Sequence, residues 1–389
     1  MIQSADELAA FCARLSTVPA VMVDTEFMRD RSYWPKLCLV QLAGPDEARA
    51  VDPLAEGMDL APLFELMANE AVLKVFHAAR QDVEIFHQLA GRVPRPIFDT
   101  QVAAMVCGFG DSVGYDKLAA RFAGARVDKA SQFTDWARRP LSERQLGYAL
   151  ADVTHLREVY RGLAKALAKN DRTRWLDEEM AILSDPATYD LDPEGSWRRL
   201  KFRSRSARYL GVLKEVAAWR EREAQRRDLP RGHVLRDDAI QELAAEQPTD
   251  LEAMKRLRAT PKGVAEGRHG ESLMAAVQRG LSLPADAVPK PEAADELPKG
   301  IGPVVDLLKV LLKQRCEEHD VAQKLVASVS DLEKIAATDE ADVPALRGWR
   351  RDLFGADALE LKHGRLALAA TRRGVRLIRL DGMPRSPEP

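Results

Sequence analysis

The stretch Val21-Met22-Val23-Asp24-Thr25-Glu26-Phe27 constrains what this chain can fold into more than any other. Read as a strand, it alternates faces with period two. Val21, Val23, Thr25 and Phe27 then lie on one side, and Met22, Asp24 and Glu26 on the other. Two carboxylates leave one strand in the same direction, about 7 Å apart at ~3.3 Å rise per residue. Like charges held together near a core repel one another and lose hydration. The arrangement calls for a positive partner, and a hard divalent cation such as Mg2+ or Mn2+ suits carboxylate oxygens.

The 389 residues allow about two to four domains at roughly 100–200 residues each. With 46% hydrophobic and 30% charged residues, the composition is that of an ordinary soluble protein. No apolar run approaches the ~18 residues of a membrane span. Met1–Leu15 mixes Asp6, Glu7 and Arg14 into an apolar pattern, unlike a signal peptide. The four cysteines (Cys12, Cys38, Cys107, Cys316) are scattered, which argues against a disulfide framework or a zinc site and fits a reducing cytosol. The net charge of −2 conceals an asymmetry. Residues 198–290 hold 20 Lys/Arg against 13 Asp/Glu, a balance of +7, so the remainder carries −9. A basic block beside an acidic one suggests a polyanion held by one part and processed, with metal help, by another.

Apolar spacing predicts a helix over 5–16, strands over 21–27, 37–42 and 49–52, a helix over 60–67, a strand over 72–76 and a helix over 80–89. The stretch Leu37–Leu42 is nearly all apolar, as expected of a strand covered on both faces. Ile97-Phe98-Asp99 follows, then helices near 100–107 and 115–122. One long helix is expected from an N-cap at Ser142, helped by Gln145, to about Leu167. Strands first, then strand–helix alternation, read as an α/β layer with a mixed sheet.

Two more acidic stretches fall in this region. In His77-Ala78-Ala79-Arg80-Gln81-Asp82, Asp82 occupies the first turn of a helix that follows a strand, where the helix dipole favours a carboxylate. By itself it reads as a capping or solvated residue. In Tyr148-Ala149-Leu150-Ala151-Asp152, the pair Tyr148 and Asp152 is four apart and projects from one side of a helix whose core face is Leu146, Leu150, Val153 and Leu156. Alone, each reads as a surface or rim residue.

The combination is more telling: Asp-x-Glu on a strand, an Asp at a strand-to-helix junction, and Tyr-x-x-x-Asp on a late helix. In order and context it resembles the DEDD superfamily of 3′→5′ exonucleases, in its tyrosine-bearing branch. Val-Asp-Thr-Glu-Phe-Met-Arg, His-Ala-Ala-Arg-Gln-Asp and Tyr-Ala-Leu-Ala-Asp-Val are similar to the ribonuclease D family. The histidine-bearing branch places a His five residues before the last Asp, and that position here is Gly147.

The resemblance implies an α/β, ribonuclease-H-like exonuclease domain with a mixed sheet, followed by two all-α HRDC-like domains. It also implies that Asp24, Glu26, Asp82 and Asp152 hold two divalent ions, Mg2+ or Mn2+, roughly 3.5–4 Å apart. Asp24 would bridge both, Glu26 and Asp152 would complete the ion that activates the attacking water, and Asp82 would serve the ion at the leaving 3′-oxygen. Tyr148, with an ordinary pKa of about 10, would orient that water as a neutral hydroxyl. The implied activity is hydrolysis of RNA from its 3′ end, releasing 5′-mononucleotides. The family's substrates are 3′ extensions of precursor transfer RNA and other small structured RNAs, and a cytoplasmic monomer with no membrane contact is expected. A DNA exonuclease with the same carboxylates and a non-catalytic RNA-binding scaffold are the alternatives.

Other residues are open to two readings each. His77 either touches the terminal nucleotide or a carboxylate, or is a satisfied, semi-buried histidine. Gln41, in an apolar strand, either faces substrate or pairs within the sheet. Phe27 and Met28 either wedge against terminal bases or belong to the core. Arg29 and Arg31 reach phosphate or are solvated. The loop Lys129–Trp136 is similar to the corresponding ribonuclease D loop, which makes Gln132 and Trp136 candidates for RNA contact.

A helix over 174–183 ending at Asp185-Pro186 and a connector to 206 are expected next. Residues 197–209 interleave six basic residues with Trp197, Phe202 and Tyr209, either to stack on bases or as a basic helix end with core aromatics. Residues 207–283 resemble the HRDC domain through Trp-Arg-Glu, Leu-Pro-Arg-Gly and Asp-Asp-Ala-Ile. The four prolines of 284–298 predict an extended linker. Residues 299–370 echo a second, divergent HRDC-like module through Ala345–Gly355, and 371–389 read as a tail, disordered at its end.

Overall fold

In a computed structural model, residues 1–261, 263–290, 298–372 and 374–380 are described. Strand β1 (Ala20–Met28) is the middle of a five-stranded mixed sheet of order β3-β2-β1-β4-β5. It pairs antiparallel with β2 (Lys36–Ala43) and parallel with β4 (Leu73–Phe76), while β3 (Ala48–Val51) and β5 (Ile97–Asp99) form the edges. Seven of the eight β2 residues are buried, which is why its sequence carries no polar alternation.

Eight helices accompany the sheet: α1 (Ala5–Leu15), α2 (Ala61–Ala68), α3 (Arg80–Ala90), α4 (Thr100–Val106), α5 (Tyr115–Ala123), α6 (Glu143–Thr154), α7 (Leu156–Lys169) and α8 (Thr173–Leu183). The main apolar cluster gathers Phe11, Val23, Val40, Phe76 and Phe86 with α4 and α7 side chains. A smaller one packs Cys38 and Leu39 of β2 against Trp136, Leu141 and Ala149.

Two local departures from the expected pattern shape the site. The β1–β2 register shifts between Glu26 and Phe27, where β2 carries the extra, unpaired residue Cys38 of a bulge. The long helix expected from Ser142 to Leu167 is broken at His155 into α6 and α7. The Tyr115 hydroxyl donates to the Ala151 carbonyl at 2.8 Å, where the His155 N–H reaches only to 3.3 Å. A side chain inserted into the helical ladder is a known cause of such a kink. At the start of α6, Ser142 and Gln145 form the reciprocal capping box.

Beyond α8 the chain builds two helical modules. The first holds α9 (Ala207–Arg227), α10 (Arg231–Val234), α11 (Asp237–Glu246), α12 (Leu251–Lys255) and α13 (Gly267–Leu281). Gly211 and Gly280 let α9 and α13 cross closely, since a Cβ on Gly211 would stand 2.3 Å from the Gly280 carbonyl oxygen. Trp197 and Tyr209 are buried in this module's core with Phe202 against them, so the core reading of the basic–aromatic stretch is the one realised. The beginning of the proline-rich segment is not extended. It turns through Pro284–Val288, and Lys214 Nζ donates to the Ala287 carbonyl at 3.3 Å; residues 291–297 of the expected linker lie outside the described residues.

The second module holds α14 (Gly302–Glu318), α15 (Gln323–Val326), α16 (Val329–Ala337), α17 (Gly348–Arg350), a π-turn over Arg351–Gly355 and α18 (Ala356–Lys362). It is not all helical. Strands β6 (Leu366–Thr371) and β7 (Gly374–Arg379) pair as a hairpin where the module's end and a tail were expected. Alternation explains it: Leu366, Leu368 and Leu377 pack onto the module's apolar cluster. The rest of the expected tail, 381–389, lies outside the described residues.

Both modules meet the α/β domain through the same kind of corner. The chain leaves α9 at Asp228 (φ 50°) and α14 at Asp320 (φ 46°), both left-handed. The Asp228 carboxylate accepts the N–H groups of Tyr33 (3.0 Å) and Trp34 (2.9 Å) in the β1–β2 loop. The Asp320 carbonyl accepts from Arg172 at 3.0 Å and crowds Gly108. Trp175 stacks on Trp349 at 4.5 Å and 10°, and Arg350 pairs with Glu179. Among the described residues, no helix is long and apolar enough to cross a membrane.

Candidate active site

Asp24, Glu26 and Asp152 each offer a carboxylate oxygen, and the three oxygens lie within 4.8 Å of one another. Asp24 and Glu26 face the same side of β1, as period two requires. Asp152 arrives from α6, which lies across β1, β2 and β3. The three line a recess of about 660 Å³ in the α/β domain.

The electrostatics are unfavourable without a cation. Burial, then Asp152, Asp82 and Glu26, hold the Asp24 carboxyl well above its ordinary value. Burial, then Asp152 and Asp82, push Glu26 up to about 9. Burial raises Asp152 to about 7 against the opposing hydrogen bond from Tyr148. Three hard oxygen donors converging on one point, each costly to ionise alone, fit a divalent metal ion.

Asp82 does not join that group of three. It is buried in the first turn of α3, where its carboxylate accepts the Thr25 hydroxyl, and burial raises it to about 7. Its charge is nevertheless felt at Asp24 and Glu26. Thr25 thus ties β1 to α3 from the strand face opposite Asp24.

Tyr148 lines the recess one helical turn before Asp152, and its hydroxyl opposes the rise of the Asp152 pKa. Burial and then Asp152, Glu26 and Asp24 keep that hydroxyl above its ordinary value and hence protonated. Tyr115, unsuspected from sequence, also lines the recess and, through Ala151, fixes the turn that carries Asp152.

The remaining candidates separate cleanly. Phe27, Met28, His77 and Gln132 line the recess. Phe27 does so from the strand face it shares with Thr25, which lines the recess too; it also packs against the main core. His77 Nδ1 lies 3.0 Å from the Thr100 hydroxyl, and burial lowers its pKa. Trp136 forms a buried wall, its ring 6.1 Å from that of Tyr148. Gln41 is fully buried opposite Asp24 in the β1–β2 register and does not line the recess. Arg29 is held by both Glu84 oxygens (3.0 and 2.7 Å), whereas Arg31 is solvated.

Sequence reading also missed Asp99. Its carboxylate accepts the N–H groups of Ala78 (3.0 Å) and Ala79 (2.8 Å) as well as that of Gln101 (2.8 Å) at the start of α4. It thereby holds Ala78, at φ 59°, on the wall of the recess. Its place just ahead of a predicted helix was the available signal.

A strand-borne acidic pair facing a Tyr-x-x-x-Asp helix over a mixed sheet defines a DEDD-type 3′→5′ exonuclease. The 3′-5′ exonuclease family profile matches residues 1–168, and the HRDC domain profile matches residues 210–277. The chain is 55% identical to ribonuclease D of Nitrobacter hamburgensis over 96% of its own length and 98% of the relative's. It is 50% identical to ribonuclease D of Granulibacter bethesdensis, over 97% and 96% respectively. Among solved structures it is similar to Escherichia coli RNase D, with a TM-score of 0.80 and 29% identity, covering 93% of this chain and 97% of that one. The chain therefore belongs to the ribonuclease D family of 3′→5′ exoribonucleases.

Proposed function

We propose that this exoribonuclease trims 3′ extensions of precursor transfer RNA and other small structured RNAs, one 5′-mononucleotide at a time, as a cytoplasmic monomer. The observation that carries the proposal is the convergence of Asp24, Glu26 and Asp152. These three, with Asp82 behind them, would hold two divalent ions, Mg2+ or Mn2+. When bound, such ions supply Lewis-acid activation of water and neutralise charge on the phosphate.

The chain's own residues do the rest. Tyr148, whose hydroxyl stays protonated beside Asp152, orients the attacking water and, not being ionised at neutral pH, does not serve as its base. Tyr115 holds the Asp152 turn in place. The wall of Phe27, Met28, His77 and Gln132 receives the terminal nucleotides.

The first helical module grips the loop that leaves β1, only a few residues beyond Met28, which supports a role beside the RNA path. The second module is a divergent counterpart of the first. Each begins with a long helix, a left-handed Asp and a four-residue helix, in the same order. Together they would favour a single-stranded 3′ end and stop at a stem.

The test is a transfer-RNA precursor with a 3′ tail, incubated with Mg2+ and with Mn2+, alongside a matched DNA oligonucleotide. Asp24→Asn and Asp152→Asn should each abolish nucleotide release. Release at the wild-type rate by either variant would reject the site.

A further inference from the structure

Phe133 is out of place for a phenylalanine. Its residue is 93% exposed, whereas the seven other exposed large apolar residues described are non-aromatic and 37–56% exposed. It is also the one among these eight that lines the acidic recess.

Its exposure is built into the fold. Phe133 lies inside a tight turn whose Thr134 N–H and hydroxyl both donate to the Ser131 carbonyl, at 3.2 and 2.8 Å. Gln145 Nε2 donates to Thr134 Oγ1 at 3.1 Å, tying the turn to α6, the helix of Tyr148 and Asp152. Ser131 and Trp136 are buried on either side. Arg139 donates to the Trp136 carbonyl at 2.7 Å while pairing with buried Asp52. The backbone is therefore held at both ends while the ring is offered to solvent at the recess.

We infer that Phe133 is a stacking platform for one unpaired base in the 3′-terminal segment of the RNA. The inference rests on the proposed exonuclease reading of the same recess. A flat apolar ring accepts the face of any base, which suits an enzyme that must bind each new 3′ end irrespective of sequence. It cannot stack on a base already stacked within a helix, so it favours single-stranded ends.

The test uses the full-length protein and a short labelled oligoribonucleotide. Binding is measured by fluorescence anisotropy with divalent ions chelated, and KM and kcat are measured with Mg2+. Phe133→Ala should weaken binding roughly 5- to 100-fold and raise KM by more than it lowers kcat. Phe133→Trp should restore both, and Phe133→Leu, apolar but not flat, should not. An abasic ribose is then moved through the last five nucleotides. At one position the difference between wild type and Phe133→Ala should vanish, and that position identifies the stacked base. Equal binding and KM for wild type and Phe133→Ala, or a loss that persists on every abasic substrate, would overturn the inference. Nucleotide release by the wild type, abolished in Asp24→Asn, is scored in the same series. Failure of the stacking role is thus distinct from failure of the exonuclease assignment.

Discussion

At Asp24, burial and three neighbouring acids all oppose the charge that the proposed metal binding needs. The sign of the pH dependence follows from raised folded-state pKa values. For Asp24, Glu26, Asp82 and Asp152 the stabilising contribution is complete below the unfolded carboxylate range near pH 4. It is lost as pH rises through the folded values of about 7 for Asp82 and Asp152 and about 9 for Glu26. Metal-free protein should therefore lose thermal stability from about pH 4 towards pH 9, and Mn2+ should restore it, as calorimetry with and without chelator will report. Asp24→Asn should raise the metal-free stability at pH 8 by about 1–3 kcal/mol, and should blunt the gain on adding Mn2+. Tyr148→Phe keeps the ring against Trp136 and removes only the hydroxyl. It should lower kcat on the order of 10²-fold through lost alignment, while anisotropy shows RNA binding nearly unchanged.

Among elements, the loop between α5 and α6 shows how side chains replace regular structure. Arg139 reaches the Asp52 carboxylate through Nε (2.8 Å) and Nη2 (2.6 Å), the Cys38 carbonyl (2.7 Å) and the Trp136 carbonyl (2.7 Å). Arg139→Met leaves Asp52 buried without its countercharge. The expected cost is about 3–5 kcal/mol in urea unfolding, with weaker RNA binding as the Phe133 turn loses its anchor. The strands were plain in the sequence because apolar alternation and the continuous Leu37–Leu42 run report burial directly. The break at His155 was not, because its cause, the Tyr115 hydroxyl, comes from 36 residues upstream. Nor was the bulge after Glu26, since it depends on how β2 pairs and not on β1 alone.

At the scale of the whole molecule, the buried Glu221 carboxylate joins the first module to the exonuclease domain. It takes both Arg231 donors at 2.6 Å and the Tyr33 hydroxyl. Burial raises its pKa, but Arg231 and Tyr33 outweigh burial and leave it below the ordinary 4.5. Its contribution is present above that value and is lost as pH falls through the lower folded one. Acidification through that lowered value should release the module, seen as a larger radius of gyration in X-ray scattering. Glu221→Gln should weaken docking by about 1.5–3 kcal/mol already at neutral pH, and limited proteolysis of the 190–206 connector will report it. The sequence alone determined the mixed sheet, the acid-bearing strand and helix, and the helical character of the C-terminal half. Each of these is written in local periodicity and in short motifs. Tertiary structure alone decided that three carboxylates share one point while Asp82 stands apart from them, that Gln41 is sealed inside while Phe133 stands in solvent, and that 366–371 pairs with 374–379 as a hairpin. Each of those outcomes depends on neighbours distant in sequence, whose approach no local pattern encodes.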